Sequence, residues 1–147
     1  YVNLQMKKGF PVGSISKPCE TVICTIGDGE AIMGNIDSCL WTCSHYGIPV
    51  LYLAMNNASW GIEWEFIAKA TAGWSRNAKN YECVDIDEPR INFAQLARAY
   101  DVHSERVEEN DQVGAALRNA LAALRKGQPA LIDFALEKYT EGPSLVP

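Results

Sequence analysis

Two short polar turns carry the residues best suited to chemistry: Gly27-Asp28-Gly29 and, after 26 intervening residues (30 to 55), Asn56-Asn57. They offer a carboxylate from Asp28, a side-chain amide oxygen from Asn57 and the backbone carbonyls of the following loop. A hard cation such as Mg²⁺ takes about six oxygens at ~2.1 Å and commonly accepts only some from protein, the rest coming from phosphate and water. Gly27 and Gly29 let a bulky anion approach the backbone, and a helix beginning near Glu30 aims free N–H groups at it. The combination describes a diphosphate held through a metal ion.

For these turns to meet, each must end a strand of one parallel sheet, since ligands of such sheets lie beyond the carboxyl ends of the strands. The surrounding sequence supplies the strands. Thr21 to Ile26 is short, β-branched and continuously apolar, as expected of a strand buried on both faces. Apolar residues then recur at Ile32, Ile36, Leu40 and Cys43, predicting one helix from Ala31 to about Tyr46 that stops at Gly47 and Pro49. Val50 to Met55 is a second buried strand, so residues 21 to 57 form a βαβ unit. Further on, the pattern predicts a helix around Glu63 to Ala70, another over Asn92 to Tyr100, a strand from His103 to Val107, a helix from Val113 to Leu124 and a last strand from Ala130 to Ala135. Parallel strands need crossover helices, so the expected fold class is α/β: a three-layer sandwich with a mainly parallel sheet and helices on both faces.

Composition narrows the alternatives. The 147 residues are 48% hydrophobic, enough for one globular domain with its own core. With 13 Lys and Arg against 18 Asp and Glu, a net charge of −5, and no basic cluster, the chain is not expected to bind nucleic acid. The longest apolar run, Ile48 to Met55, is far short of the ~20 residues that cross a bilayer, so no membrane partner is expected. Five cysteines without a CxxC pair read as reduced, buried thiols, which favours the cytoplasm. Cys39, Cys43 and His45 offer only a weak zinc pattern, and Cys39 and Cys43 are expected to face the core.

The order Gly-Asp-Gly, 26 residues, Asn-Asn resembles the signature of thiamine-diphosphate-dependent enzymes such as pyruvate decarboxylase, benzoylformate decarboxylase and acetolactate synthase. Leu40 to Pro49, Pro89 to Val102 and Pro129 to Asp133 are similar to the diphosphate-binding domain of that family, and the likeness covers about Pro18 to Leu136. The resemblance implies a cofactor-binding domain over 18–139, preceded by a segment 1–17 that is expected to be cut short and followed by a tail, 140–147. It implies thiamine diphosphate and Mg²⁺ as cofactors, with Asp28, Asn57 and the Ser59 carbonyl as metal ligands. Gly29, Glu30, Trp60 and Gly61 would lie against the cofactor. Glu30 stands where the family often has a small residue, and its carboxylate must turn away from phosphate.

By the same resemblance, Glu63 faces the reacting carbon, where a partly desolvated carboxylate with a raised pKa could move protons. Equally, Glu63 and Glu65 could serve only as favourable charges at a helix start. The implied activity is that of a lyase or carboligase acting on a 2-oxo acid. An oxidoreductase subunit with the same cofactor and a non-catalytic phosphate- or metal-binding module are the other readings. In the family a glutamate from a separate pyrimidine-binding domain completes the site. The chain is therefore expected to need that domain or subunit and to work in a homo- or hetero-oligomer.

The remaining candidates have plainer expectations. Trp60, Trp64 and Trp74 could line a pocket but are expected to pack as core. His45 is expected to be a charge partner at a helix end, His103 to be structural, and Asp85, Asp87 and Glu88 to form a solvated acidic turn. The resemblance implies a hydrophobic residue near the N-terminal stretch that buttresses the bent cofactor, a role assigned to neither Leu4 nor Met6.

Overall fold

The computed structural model describes residues 21–79 and 82–138. The segment 1–17, Pro18, Cys19, Leu4, Met6 and the tail 140–147 lie outside the described residues.

Among the described residues, four parallel strands form one sheet in the order β1-β2-β4-β3: β1 (Val22–Gly27), β2 (Val50–Asn56), β3 (His103–Val107) and β4 (Ala130–Ala135). The strand limits follow the apolar, β-branched runs closely, and β4 begins and ends where its sequence predicts. Helices cover both faces. On one, α1 (Asp28–Met33), α2 (Ile36–Tyr46) and α5 (Phe93–Arg98) pack Ala31, Leu40, Cys43, Phe93 and Ala97 against Tyr52, Ala54 and Leu131. On the other, α6 (Val113–Arg125) lays Ala116, Ala120, Ala123 and Leu124 on Leu51, Ala130 and Ile132. Burying a side chain such as Leu40 or Phe93 stabilises by roughly 1.5–3 kcal/mol. The small residues of α6 let its backbone approach the sheet closely. No helix among the described residues is long and apolar enough to cross a membrane.

Two expectations of the βαβ unit are corrected. Among the described residues the first strand is not buried on both faces: β1 is the edge of their sheet, and Ile23 and Thr25 are exposed while Cys24 and Ile26 pack inward. The described helix α6 packs against β2, β3 and β4 and does not extend over β1. The single helix predicted from Ala31 to Tyr46 is two, broken at Gly34-Asn35. The Gly34 N–H donates to the Glu30 carbonyl at 2.7 Å, and a Cβ at Gly34 would meet that oxygen at 2.9 Å. Asn35 then turns the chain with φ +50, a left-handed conformation that Asn tolerates.

The cysteines also divide. Cys43 is buried with its sulfur 3.4 Å from the Tyr52 hydroxyl, and burial pushes both groups up from their ordinary pKa values. Cys39 and Cys83 are exposed, contrary to their expected burial. Cys39 points outward and Cys43 inward, so the two do not converge with His45 on a metal. His45 instead stacks on Trp41 with ring centroids 4.8 Å apart. His103 opens β3 and sits 3.2 Å from Glu105.

Candidate functional site

Gly27 pairs in register with Met55, so the turns that follow β1 and β2 emerge side by side. Asp28 is the first residue of α1 and only 4% exposed. One carboxylate oxygen accepts the Gly29 N–H at 2.9 Å, and the other accepts the Ala58 N–H at 2.6 Å across the gap between the turns. Burial pushes the Asp28 carboxyl above its ordinary range, and the N–H groups of Gly29, Ala58 and Ser59 oppose that rise. Among the described residues no Lys, Arg or His forms an ion pair with it. A buried carboxylate held only by neutral donors is a site that a cation would stabilise.

The second turn is held by a neighbouring loop. Trp60 N–H donates to the Val84 carbonyl at 2.8 Å, Ile86 N–H donates to the Ala58 carbonyl at 3.2 Å, and Ser59 bridges to Asp85. Asn57 Oδ1 accepts the Ser59 N–H at 3.1 Å, which curls the turn so that Asn57 and Ser59 both border the cavity. Ala58, buried between them, has φ +56. The strain of a left-handed residue is ~1–2 kcal/mol and grows with branching at Cβ. Replacing Ala58 with Val is expected to cost about 2–3 kcal/mol in urea unfolding, from strain and overpacking together. Ala58→Gly should stay within about 1 kcal/mol of the parent, because relief of strain offsets the greater freedom of the unfolded chain.

Both turns open onto a cavity of about 460 Å³ lined by Asp28, Gly29, Glu30, Asn57, Ser59 and Trp60, with Gly61 and Glu63 beyond them. Gly29 lies directly under the Trp60 indole: a Cβ there would stand 3.1 Å from the ring. The approach that glycine permits is thus to an aromatic face as well as to the cavity. Glu30 Oε2 accepts the Gly27 N–H at 2.9 Å at the end of β1, and the residue stands on the cavity wall. On the rim, Met33, Ile62 and Phe66 are each about two-thirds exposed (69%, 68% and 66%), an apolar border to a polar floor.

Helix α3 (Gly61–Ala70) brings Glu63 to the cavity in its first turn, a placement that suits both expectations for this residue. Its side chain is exposed, however, so the described residues do not supply the desolvation expected of it. Glu65 is not a companion charge at the helix start. It binds Arg76 at 3.1 Å through both oxygens, and that guanidinium covers Trp64 at 4.8 Å. Arg76 belongs to the short helix α4 (Trp74–Asn77). The three tryptophans therefore separate: Trp64 is core at 2% exposure, Trp60 lines the cavity, and Trp74 is 63% exposed.

A polar lattice under the site went unrecognised in the sequence. Asp133 is fully buried on β4 and accepts from Arg106 at 2.8 Å, from the Phe93 N–H at 3.0 Å and from the Asn56 amide at 3.0 Å. Asn56 also donates to the Ile91 carbonyl at 2.8 Å. Consecutive asparagines thus do different work, Asn56 knitting the scaffold and Asn57 facing the cavity. An aspartate inside the apolar run Ala130 to Ala135 was the available signal, because such a group requires partners. The acidic turn is exposed at Asp85 and Glu88, as expected, and is also tied down: Lys138 lies 2.6 Å from Asp85 and 3.5 Å from Asp87.

Known proteins resemble this chain in sequence and fold. The family described as "Thiamine pyrophosphate enzyme, C-terminal TPP binding domain" matches residues 5–134. The benzoylformate decarboxylase of Pseudomonas aeruginosa is 28% identical over 119 residues, 81% of this chain and 20% of that protein. A probable acetolactate synthase large subunit from Methanococcus aeolicus is 28% identical over 144 residues, 95% of this chain and 22% of that protein. Among solved structures, the Rhodococcus jostii RHA1 thiamine diphosphate-dependent 4-hydroxybenzoylformate decarboxylase superposes with a TM-score of 0.65 at 30% identity, covering 82% of this chain and 20% of that one. The chain thus spans about a fifth of the length of these relatives.

Proposed function

The chain belongs to the thiamine-diphosphate-dependent enzymes, as their C-terminal cofactor-binding domain, and on that premise we propose that its cavity holds the diphosphate end of thiamine diphosphate through Mg²⁺. The observation that carries this reading is Asp28, a buried carboxylate beside a roomy cavity with no cation paired to it among the described residues. Its chemistry and that of its neighbours fit a hard cation: the Asp28 carboxylate, the Asn57 side-chain oxygen and the Ser59 carbonyl would be the protein's share of an oxygen shell. Gly29, Trp60 and Gly61 would bound the cofactor, within a unit proposed to run over 18–139.

When bound, thiamine diphosphate supplies the nucleophilic carbon and the electron sink on which a 2-oxo acid loses carbon dioxide. The chain's own residues orient and exclude. The loop stitched to Val84 and Ile86 fixes the metal-facing oxygens, and Trp60 screens Gly29 from water. Glu63, the acid that α3 presents to the cavity, is the residue proposed to hold or return a proton at the reacting carbon. Decarboxylation with or without carbon–carbon bond formation accords with the names of the relatives, benzoylformate decarboxylase and acetolactate synthase large subunit. The remaining four-fifths of such proteins would provide a pyrimidine-binding domain, on the same polypeptide or a partner subunit, within an oligomer.

Calorimetric titration of the chain with thiamine diphosphate tests the reading. Binding is expected only with Mg²⁺ and should weaken sharply for thiamine monophosphate; equal affinity for the two ligands, or indifference to Mg²⁺, would overturn it. Glu30 offers a finer check. Its carboxylate on the cavity wall repels phosphate, and Glu30→Gln removes that charge while keeping an acceptor for the Gly27 N–H. The substitution should tighten thiamine diphosphate binding by roughly three- to tenfold at low salt, with a smaller gain at high salt.

A further inference from the structure

Arg90 has no role in the site as described above, yet its guanidinium sits beneath it. Nη2 donates to the Asn56 carbonyl at 2.5 Å and to the Leu136 carbonyl at 2.7 Å, and Nε approaches Asn56 Oδ1 at 3.4 Å. The Leu136 N–H donates to the same Asn56 carbonyl at 2.8 Å. No carboxylate forms an ion pair with Arg90 among the described residues. Among the described residues, its guanidinium hydrogen-bonds only to oxygens of two residues, where β2 and β4 end.

The Asn56 carbonyl belongs to the peptide that joins Asn56 to Asn57. Fixing its oxygen fixes that peptide plane, and with it the start of the turn from which Asn57 and Ser59 border the cavity. Asn56 is anchored from the other side as well, its amide held by Ile91 and Asp133. We infer that Arg90 is a positioning residue for the metal-binding turn: it touches neither metal nor cofactor and sets the Mg²⁺ affinity of the site by clamping the 56–57 peptide and the end of β4. The inference rests on the cofactor reading above. Outer groups that orient metal ligands typically govern affinity by 10–100-fold.

The test is a Mg²⁺ titration of the full chain at saturating thiamine diphosphate, followed by calorimetry well below the unfolding midpoint, for the parent, Arg90→Lys and Arg90→Met. Met keeps the aliphatic bulk and donates nothing; Lys keeps the charge but cannot fork to two carbonyls. The Mg²⁺ concentration at half-saturation should rise about tenfold or more in R90M and by a smaller factor in R90K. Half-saturation unchanged in both variants, even with a lowered melting temperature, would mean that Arg90 is a structural brace only and would overturn the inference. Should R90M not fold, R90K decides alone, and a parent-like titration overturns it. Absence of Mg²⁺-dependent binding in the parent itself would refute the cofactor reading. The Asn57 side-chain amide resonances of the ligand-free protein still judge the clamp: they should move in R90K, and unmoved resonances would overturn it.

Discussion

Asp28→Ala should abolish Mg²⁺-dependent binding of thiamine diphosphate, lowering affinity by about 100-fold or more, at or beyond the upper end of the effects seen when groups that merely orient metal ligands are removed. A carboxylate that is 4% exposed and held by the N–H groups of Gly29 and Ala58 is poised to gain from a cation, whereas alanine offers the ion nothing. Thermal melting gives a second reading. With ligand at about a hundred times its dissociation constant, the parent gains ~2.7 kcal/mol, or ~5–10 °C for a domain of this size. The variant should gain none. Its ligand-free stability moves less, because losing an acceptor for two N–H groups opposes the relief of removing a buried charge. A full thermal gain in Asp28→Ala, with Mg²⁺ and cofactor present, would sink the proposed role.

Asp133→Ala should be the most destabilising single change in the described structure outside the apolar core, at about 3–5 kcal/mol, lowering the melting temperature by ~10 °C or more. The carboxylate is fully buried and serves three donors at once: the Arg106 guanidinium, the Phe93 N–H and the Asn56 amide. Alanine leaves the buried Phe93 N–H without its acceptor, reduces the Asn56 amide to its bond with Ile91 and leaves Arg106 with Glu108 alone. Asp133→Asn should fall between, since its one acceptor oxygen can serve only part of the set. Equilibrium urea unfolding with an unchanged slope would separate lost stability from a changed native state. A loss below about 1 kcal/mol for Ala would mean that water or rearrangement satisfies these donors.

Most of the scaffold could be read from local pattern. The run Ala130 to Ala135 is a strand at both limits, and the helix at Val113 runs one residue past its expected end, because length and periodicity there agree with burial. The βαβ unit was legible for the same reason, and with it the meeting of Asp28 and Asn57 at adjacent strand ends. The break at Gly34-Asn35 was not, since Ile32 and Ile36 continue the helical spacing straight through it. Nor was the exposed face of β1: an apolar run predicts burial, but which strand lies at the edge depends on the order of pairing. The lattice under the site failed to show for a related reason. Arg90 and Asn56 are 34 residues apart and Asn56 and Asp133 are 77 apart, separations at which spacing carries no signal.

The two margins of the sheet differ in a way that polarises its capacity to grow. β3 presents His103, Glu105 and Arg106 along one margin, charges and polar groups that discourage a further backbone from pairing there. Among the described residues, β1 presents Val22 to Ile26 without a single charge, its ladder formed with β2 alone. Against this part of the chain a further strand would therefore pair more readily beside Ile23 and Thr25 than beside β3. A lysine placed at Thr25 would discourage it while leaving the Gly27-Asp28-Gly29 turn undisturbed.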